Sequence, residues 1–340
     1  AISIGPVVES LGEAMSISAC RAALPRRLPA ALFSLGILFA GCGGGGGGGT
    51  PPPMPTPTVA PTPSGPAGAG VRAEILSSVV SEDPPGQVQV TFSLTDGAGT
   101  PIAPTGSSTQ NDQQARLRLT LARLESYSGG GDLANEFLRY VNEVDRTRPA
   151  YDRNGIFEPV DPERGIHRYT FGTMLGSVLP EQTYAVGMQV DRSFGGVQES
   201  ANPVFDFVPA GGTPRIYQDT TTEQCNVCHA PLIVHGNRRE VRLCNLCHTE
   251  AAVDEKGTSI AMRNMIHMIH AGKDLPSIVE GPPGSRYAIF SSFGQEDVVF
   301  AEKQEDGTIT GVAFPRPLEE CPPCHAAGAT ADFHRTKPST

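Results

Sequence analysis

The sequence predicts a mainly β N-terminal module, a Greek-key sandwich or split barrel, followed by a loop-rich module with few short helices. Three observations predict it. Apolar and polar residues alternate in several short runs between residues 88 and 208, the period of strands that bury one face. Gly- and Pro-rich turns separate those runs, as in sandwiches and barrels, although much of the chain's 39 Gly and 31 Pro sits in one linker. From Pro214 onward the alternation stops and three Cys-x-x-Cys-His units appear.

Residues 1–14 precede Met15 and read as upstream read-through. Residues 15–41 read as a lipoprotein-type signal peptide. Arg21, Arg26 and Arg27 form its basic start, and Ala30 to Ala40 an apolar run too short to span a bilayer. Leu38-Phe39-Ala40-Gly41 then precede Cys42, the residue such a signal leaves for acylation and membrane anchoring. Plain cleavage near Cys42 is the alternative. Residues 42–70 are a Gly- and Pro-rich linker, in which Gly43–Gly49 make a flexible hinge. The Pro-rich part can extend at ~3.1 Å per residue, up to roughly 65 Å.

The β module is expected over 71–213. Val88, Val90, Phe92 and Leu94 mark one strand, and Asp96-Gly97-Ala98-Gly99 a turn. Leu117, Leu119 and Leu121 mark a second strand. Tyr169 and Phe171 mark a third, Tyr184 to Val190 a fourth and Val204 to Val208 a last one. A helix is expected to interrupt them: Asp132 can cap a segment on which Leu133, Phe137, Val141 and Val144 share a face. His167 is the module's one histidine and is expected to pack, not to ligate. The Asp and Glu residues read as solvated, and no catalytic constellation emerges, so a scaffold or docking role is expected.

Net charge is −10 with no basic run, which argues against nucleic acid as a partner. With no Trp and only 6% aromatic residues, a small module needs something besides its side chains to bury. The second module, 214–340, carries Cys225/Cys228/His229, Cys244/Cys247/His248 and Cys321/Cys324/His325. Three chemistries compete for them. The spacing Cys225-x2-Cys228-x15-Cys244-x2-Cys247 fits a zinc ribbon, but zinc does not require a histidine behind each pair and the third pair has no mate. A redox dithiol fits Cys321-Pro-Pro-Cys324, but no βαβ pattern surrounds it. Haem c uses every letter: two thiols form thioethers and the adjacent histidine is the proximal iron ligand. The module is then haem-packed, with three haems c.

Four further histidines, His235, His267, His270 and His334, are available as sixth ligands. That number allows bis-histidine ligation at all three irons and favours electron transfer over a multihaem reductase with one open iron. Met262, Met265 and Met268 are alternative ligands, though helical packing explains them better. His267 and His270 stand three apart on an expected helix ended by Gly272 and Pro276, so one helix can serve two haems. His235 is expected to serve a haem other than the one it follows.

These residues resemble the OmcA/MtrC family of outer-membrane multihaem c-type cytochromes. The resemblance rests on CxxCH, His235-Gly236, a second CxxCH and the run MIHMIHAG. It implies split β-barrel domains alternating with domains of closely packed bis-histidine haems. It also implies a surface lipoprotein that takes electrons from a periplasmic or outer-membrane cytochrome conduit and passes them to metal oxides or flavins. Terminal metal reduction is the only enzymatic activity it implies. By the same resemblance His229, His248 and His325 are proximal and His235, His267 and His270 distal ligands, with His334 ranked last. Family members carry ten haems, so the resemblance implies an N-terminal piece of a longer protein, continuing past Thr340.

Overall fold

The computed structural model describes residues 68–106, 111–128, 136–292, 294–316, 318 and 322–325. The signal peptide, the linker up to residue 67, Cys42, Cys321 and His334 lie outside the described residues.

Ten strands form the N-terminal part: β1 (Val71–Glu82), β2 (Pro85–Asp96), β3 (Ala103–Thr105), β4 (Gln114–Ser128), β5 (Glu136–Asn142), β6 (Ile156–Asp161), β7 (Ile166–Met174), β8 (Tyr184–Phe194), β9 (Val197–Ala201) and β10 (Val204–Phe207). One sheet has the antiparallel order β1-β2-β7-β6. The other runs β10-β8-β4-β3, with β5 beside β4, β9 beside β8 and only the β3–β4 pair parallel. The alternating residues of β2, β4, β7 and β8 all enter one buried cluster between the sheets, as period-two patterning requires. His167 is buried against Phe92, with Nε2 3.2 Å from the Ile102 carbonyl. It packs and does not approach another histidine.

The helix expected from Asp132 is not there: residues 136–142 form β5, while Asp132 and Leu133 lie outside the described residues. The i, i+4 spacing of Phe137 and Val141 matched a helix by coincidence. What decides the conformation is the long β4 alongside, against which β5 zips in register from Glu136 to Asn142. Tyr140 then joins a second buried cluster with Ala122, Leu124, Ala185 and Leu246. Tertiary pairing overrides the local pattern.

The carboxylates are also less solvated than expected. Asp152 is buried and accepts from Tyr169 Oη at 2.7 Å, Gly172 N at 2.8 Å, Thr173 N at 3.0 Å and Thr173 Oγ1 at 2.7 Å. It ties the β5–β6 loop to β7. Asp191 is buried under Arg116 and Arg118.

Strand β8 is buried on both faces from Tyr184 to Arg192. Its second face is covered by the segment that follows the strands. That segment holds α1 (Thr222–Asn226), α2 (Val241–Cys247), α3 (Met262–Ala271) and α4 (Pro276–Val279), then an antiparallel sheet of β11 (Arg286–Ser291), β12 (Glu296–Lys303) and β13 (Ile309–Gly311). Helix α2 lies on the second sheet at Gly187, where a Cβ would come within 2.5 Å of Leu243 Cδ1 and 2.8 Å of Leu246 Cδ1. Close approach is what glycine permits here. Among the described residues no helix is long and apolar enough to cross a membrane.

Candidate haem-attachment motifs and paired imidazoles

The first two motifs share one local design. In α1, Thr221 caps the helix and exchanges side-chain hydrogen bonds with Gln224, a capping box that fixes where the helix begins. The turn continues past the helix, with His229 N donating to Cys225 O at 2.9 Å. In α2, Glu240 caps the start by accepting from Arg242 N at 3.1 Å, and His248 N donates to Cys244 O at 2.8 Å. A helical turn puts residues i, i+3 and i+4 on one side. Each motif therefore offers its two thiols and its imidazole to the same space. Of the third motif, Cys324 and His325 are described.

The six expected ligand histidines form three pairs, each joining a motif histidine to one from elsewhere. Ring centroids are 6.0 Å apart for His229 and His270, 6.0 Å for His235 and His248, and 6.1 Å for His267 and His325. A metal–imidazole bond is about 2 Å and the ring centre lies roughly 1.1 Å behind the nitrogen, so two imidazoles on opposite sides of one metal have centroids about 6.3 Å apart. The spacing is at the long end for paired rings and matches what one interposed metal would require. The interplanar angle is 83° in the first pair, 13° in the second and 29° in the third.

Backbone carbonyls orient four of the rings through Nδ1. His248 meets Ile260 O at 2.8 Å, His267 meets Arg263 O at 2.8 Å, His270 meets Ile266 O at 2.8 Å and His325 meets Asp219 O at 3.0 Å. A carbonyl only accepts, so Nδ1 carries the proton and Nε2 keeps its lone pair for a metal. Burial, helped by the neighbouring His235 and Arg238 and opposed by that carbonyl, sets the His248 imidazole at about 4, far below the ordinary value. It is therefore neutral and able to ligate. His235 sits in the left-handed region at φ 48°, followed by Gly236 at φ 88°, in a turn closed by two 3.0 Å backbone hydrogen bonds between Val234 and Arg238.

Helix α3 presents His267 to the third motif and His270 to the first, and none of its ten residues is buried despite its apolar character. It ends at Gly272, whose φ of 48° and close approach to the Val312 carbonyl exclude a side chain. Pro276 opens α4 four residues later. Val227 is 78% exposed and Ile233 and Val234 are exposed too, apolar side chains near the motifs that the polypeptide leaves uncovered.

The competing chemistries fit poorly. Among the described residues no three His, Cys, Asp or Glu side chains converge as a metal site, so Cys225, Cys228, Cys244 and Cys247 are not gathered as zinc ligands. Burial pushes the Cys244 thiol up to about 12 and also raises Cys225, Cys247 and Cys324. A reactive dithiol requires the opposite shift, whereas thioether formation removes the ionisable thiol altogether.

Residues outside the motifs hold the second one in place. Asn142 of β5 is fully buried and donates to Leu246 O at 2.9 Å, inside the Cys244–Cys247 turn, and to Thr120 Oγ1 at 2.9 Å. Its own carbonyl accepts from Val144 N at 2.9 Å and Asp145 N at 3.0 Å. Cys247 Sγ lies 3.6 Å from Ala150 O. Nothing in the local sequence marks Asn142; only Gly187, a glycine inside a strand pattern, carries a legible signal.

Residues 219–339 match the family described as "Outer membrane cytochrome MtrC/MtrF-like, domains II/IV". No curated protein matches the chain. Among solved structures, the crystal structure of the outer membrane decaheme cytochrome OmcA matches with a TM-score of 0.58 and 22% identity, over 78% of this chain and 42% of that one. At that identity the likeness establishes the fold, and the chain spans less than half the length of OmcA. Residues 219–339 are thus similar to domains II/IV of MtrC/MtrF-like outer membrane cytochromes, and the fold of the chain is similar to that of OmcA.

Proposed function

We propose that this chain carries three covalently bound haems c, each with two axial histidines, and conducts electrons at the outer cell surface. The observation that carries the reading is the pairing of six histidines into three couples at 6.0, 6.0 and 6.1 Å, one motif histidine in each. Cys225, Cys228, His229 and His270 would hold the first haem. Cys244, Cys247, His248 and His235 would hold the second. Cys321, Cys324, His325 and His267 would hold the third, leaving His334 as the spare. Bound there, the group supplies a one-electron couple that two imidazoles keep at low potential. The chain's residues neutralise, orient and shield: the carbonyls fix each tautomer, and α3 keeps the first and third sites adjacent. Two histidines at each site, one from a motif and one from elsewhere, would leave the group no position open to substrate, which favours electron transfer over substrate reduction at an open iron.

The remainder of the reading follows the sequence and the family. Residues 15–41 direct export, Cys42 is lipidated, and 42–70 tether the modules 71–213 and 214–340 at the surface. The electron donor is a cytochrome conduit in or under the outer membrane, and the acceptors are metal oxides or flavins. The test is the spectrum of protein exported by a host that matures c-type cytochromes. All haem should be low-spin and unmoved by cyanide; a cyanide-sensitive high-spin fraction would favour the reductase reading instead.

A further inference from the structure

Arg238, the cation beside the second histidine pair, makes no ion pair among the described residues, unlike Arg242 and Arg263. Arg238 closes the turn that presents His235, through its two backbone hydrogen bonds with Val234. Its Nε donates to Gln189 Oε1 at 2.7 Å. Gln189 lies buried on β8, and its Nε2 donates to both oxygens of Asp191, at 3.2 and 2.9 Å. These bonds fix which way the amide faces, because its oxygen meets an arginine and its nitrogen a carboxylate. The Asp191 charge is already shared between Arg116 at 3.0 Å and Arg118 at 3.3 Å. Arg242 has Asp206 and Arg263 has Glu250. Arg238 has a neutral amide, and no ion pair involves it among the described residues.

Arg238 closes the turn that holds His235, and His235 faces His248 with ring centroids 6.0 Å apart, so the charge stands beside the pair. The consequence depends on charge balance. A ferric centre with a dianionic macrocycle and two neutral imidazoles is singly positive, and adding one electron makes it neutral. A fixed cation nearby disfavours the positive state, and in a partly buried site the effect is weakly screened.

Resting on the haem reading above, we propose that Arg238 sets the potential of the second haem, as an uncompensated cation that raises it, and that Gln189 is the residue that positions Arg238. The β module is then more than a scaffold: one of its buried side chains holds the charge that tunes the electron carrier beside it.

The experiment is film voltammetry of the exported, haem-loaded protein, wild type against Arg238→Gln, Arg238→Lys and Gln189→Met. The expected result for Arg238→Gln is that one of three components moves to lower potential while the other two stay. Arg238→Lys keeps the charge and should restore most of the shift. Gln189→Met removes the acceptor without changing charge and should move the same component in the same direction by less. It also supplies the measurement if Arg238→Gln fails to mature. Unchanged potentials in fully loaded Arg238→Gln would overturn the proposal, as would equal movement of all three components or a lysine variant as shifted as the glutamine one. A wild type that carries no haem would overturn the haem reading along with it, whereas a loaded wild type with an indifferent Arg238 overturns only the arginine's role.

Discussion

Four of the six paired imidazoles turn Nδ1 to a backbone carbonyl, which leaves Nε2 with its lone pair. In those four, His248, His267, His270 and His325, the division of roles is fixed before any cofactor arrives. His235→Ala should therefore leave the second haem attached but without its sixth ligand. One third of the haem should become high-spin and cyanide-sensitive, read from the visible spectrum of the purified variant. The pair angles add a finer expectation. Perpendicular ligand planes leave the iron dπ orbitals nearly degenerate, and parallel planes split them. The first pair at 83° should thus give an electron paramagnetic resonance signal distinct from the other two. His167 gives a pH test away from the haems. Burial lowers its pKa below the usual 6.5, only partly offset by the Ile102 carbonyl. Its folded value lies below its unfolded one, so its contribution is present above pH 6.5 and is lost as pH falls through the folded value. Urea midpoints of His167→Gln should decline less between pH 7 and 5 than those of the wild type. At this scale the motif cysteines and the six histidines were legible because their chemistry demands those letters. Asn142, Gln189 and Arg238 were not, because their roles depend on what a distant strand brings beside them.

An element carries meaning here through the side it presents. His267 and His270 serve two different partners because α3 turns them to one side at a spacing of three residues. Inserting one alanine between them rotates His270 by about 100° relative to His267. One haem should then lose its distal ligand while the other keeps it, which the same low-spin to high-spin count would read. Strand β5 teaches the converse. Its sequence matched a helix, and the match failed because β4 offered a long edge and a buried pocket for Tyr140. The strands β2, β4, β7 and β8 were legible, since alternation and burial coincide along them. The second face of β8 was not, because alternation marks one buried face, while the other is covered by the segment that follows the strands, where Arg238 meets Gln189. Asn142→Ala removes the pin between that face and the Cys244–Cys247 turn and leaves buried backbone groups unpaired. It should cost about 1–3 kcal/mol by urea denaturation, with the loss larger than for a substitution on the exposed side of β1.

For the molecule as a whole, the two modules work as one arrangement of sheet, motif and histidine. The β sandwich provides a rigid surface, α2 packs on it at Gly187 and Leu246, and the second attachment motif inherits that rigidity. The first and third motifs are linked instead by α3. Much of the apolar surface of the helical segment stays open in the polypeptide alone, so the covalent haems should contribute substantially to its stability. The central claim is that three histidine pairs each flank one covalently attached haem. The measurement that tests it most directly is intact mass of the protein exported from a host that matures c-type cytochromes, taken with its visible spectrum. The account predicts three haem additions and a wholly low-spin Soret band. A mass without haem, or with zinc in its place, would contradict it.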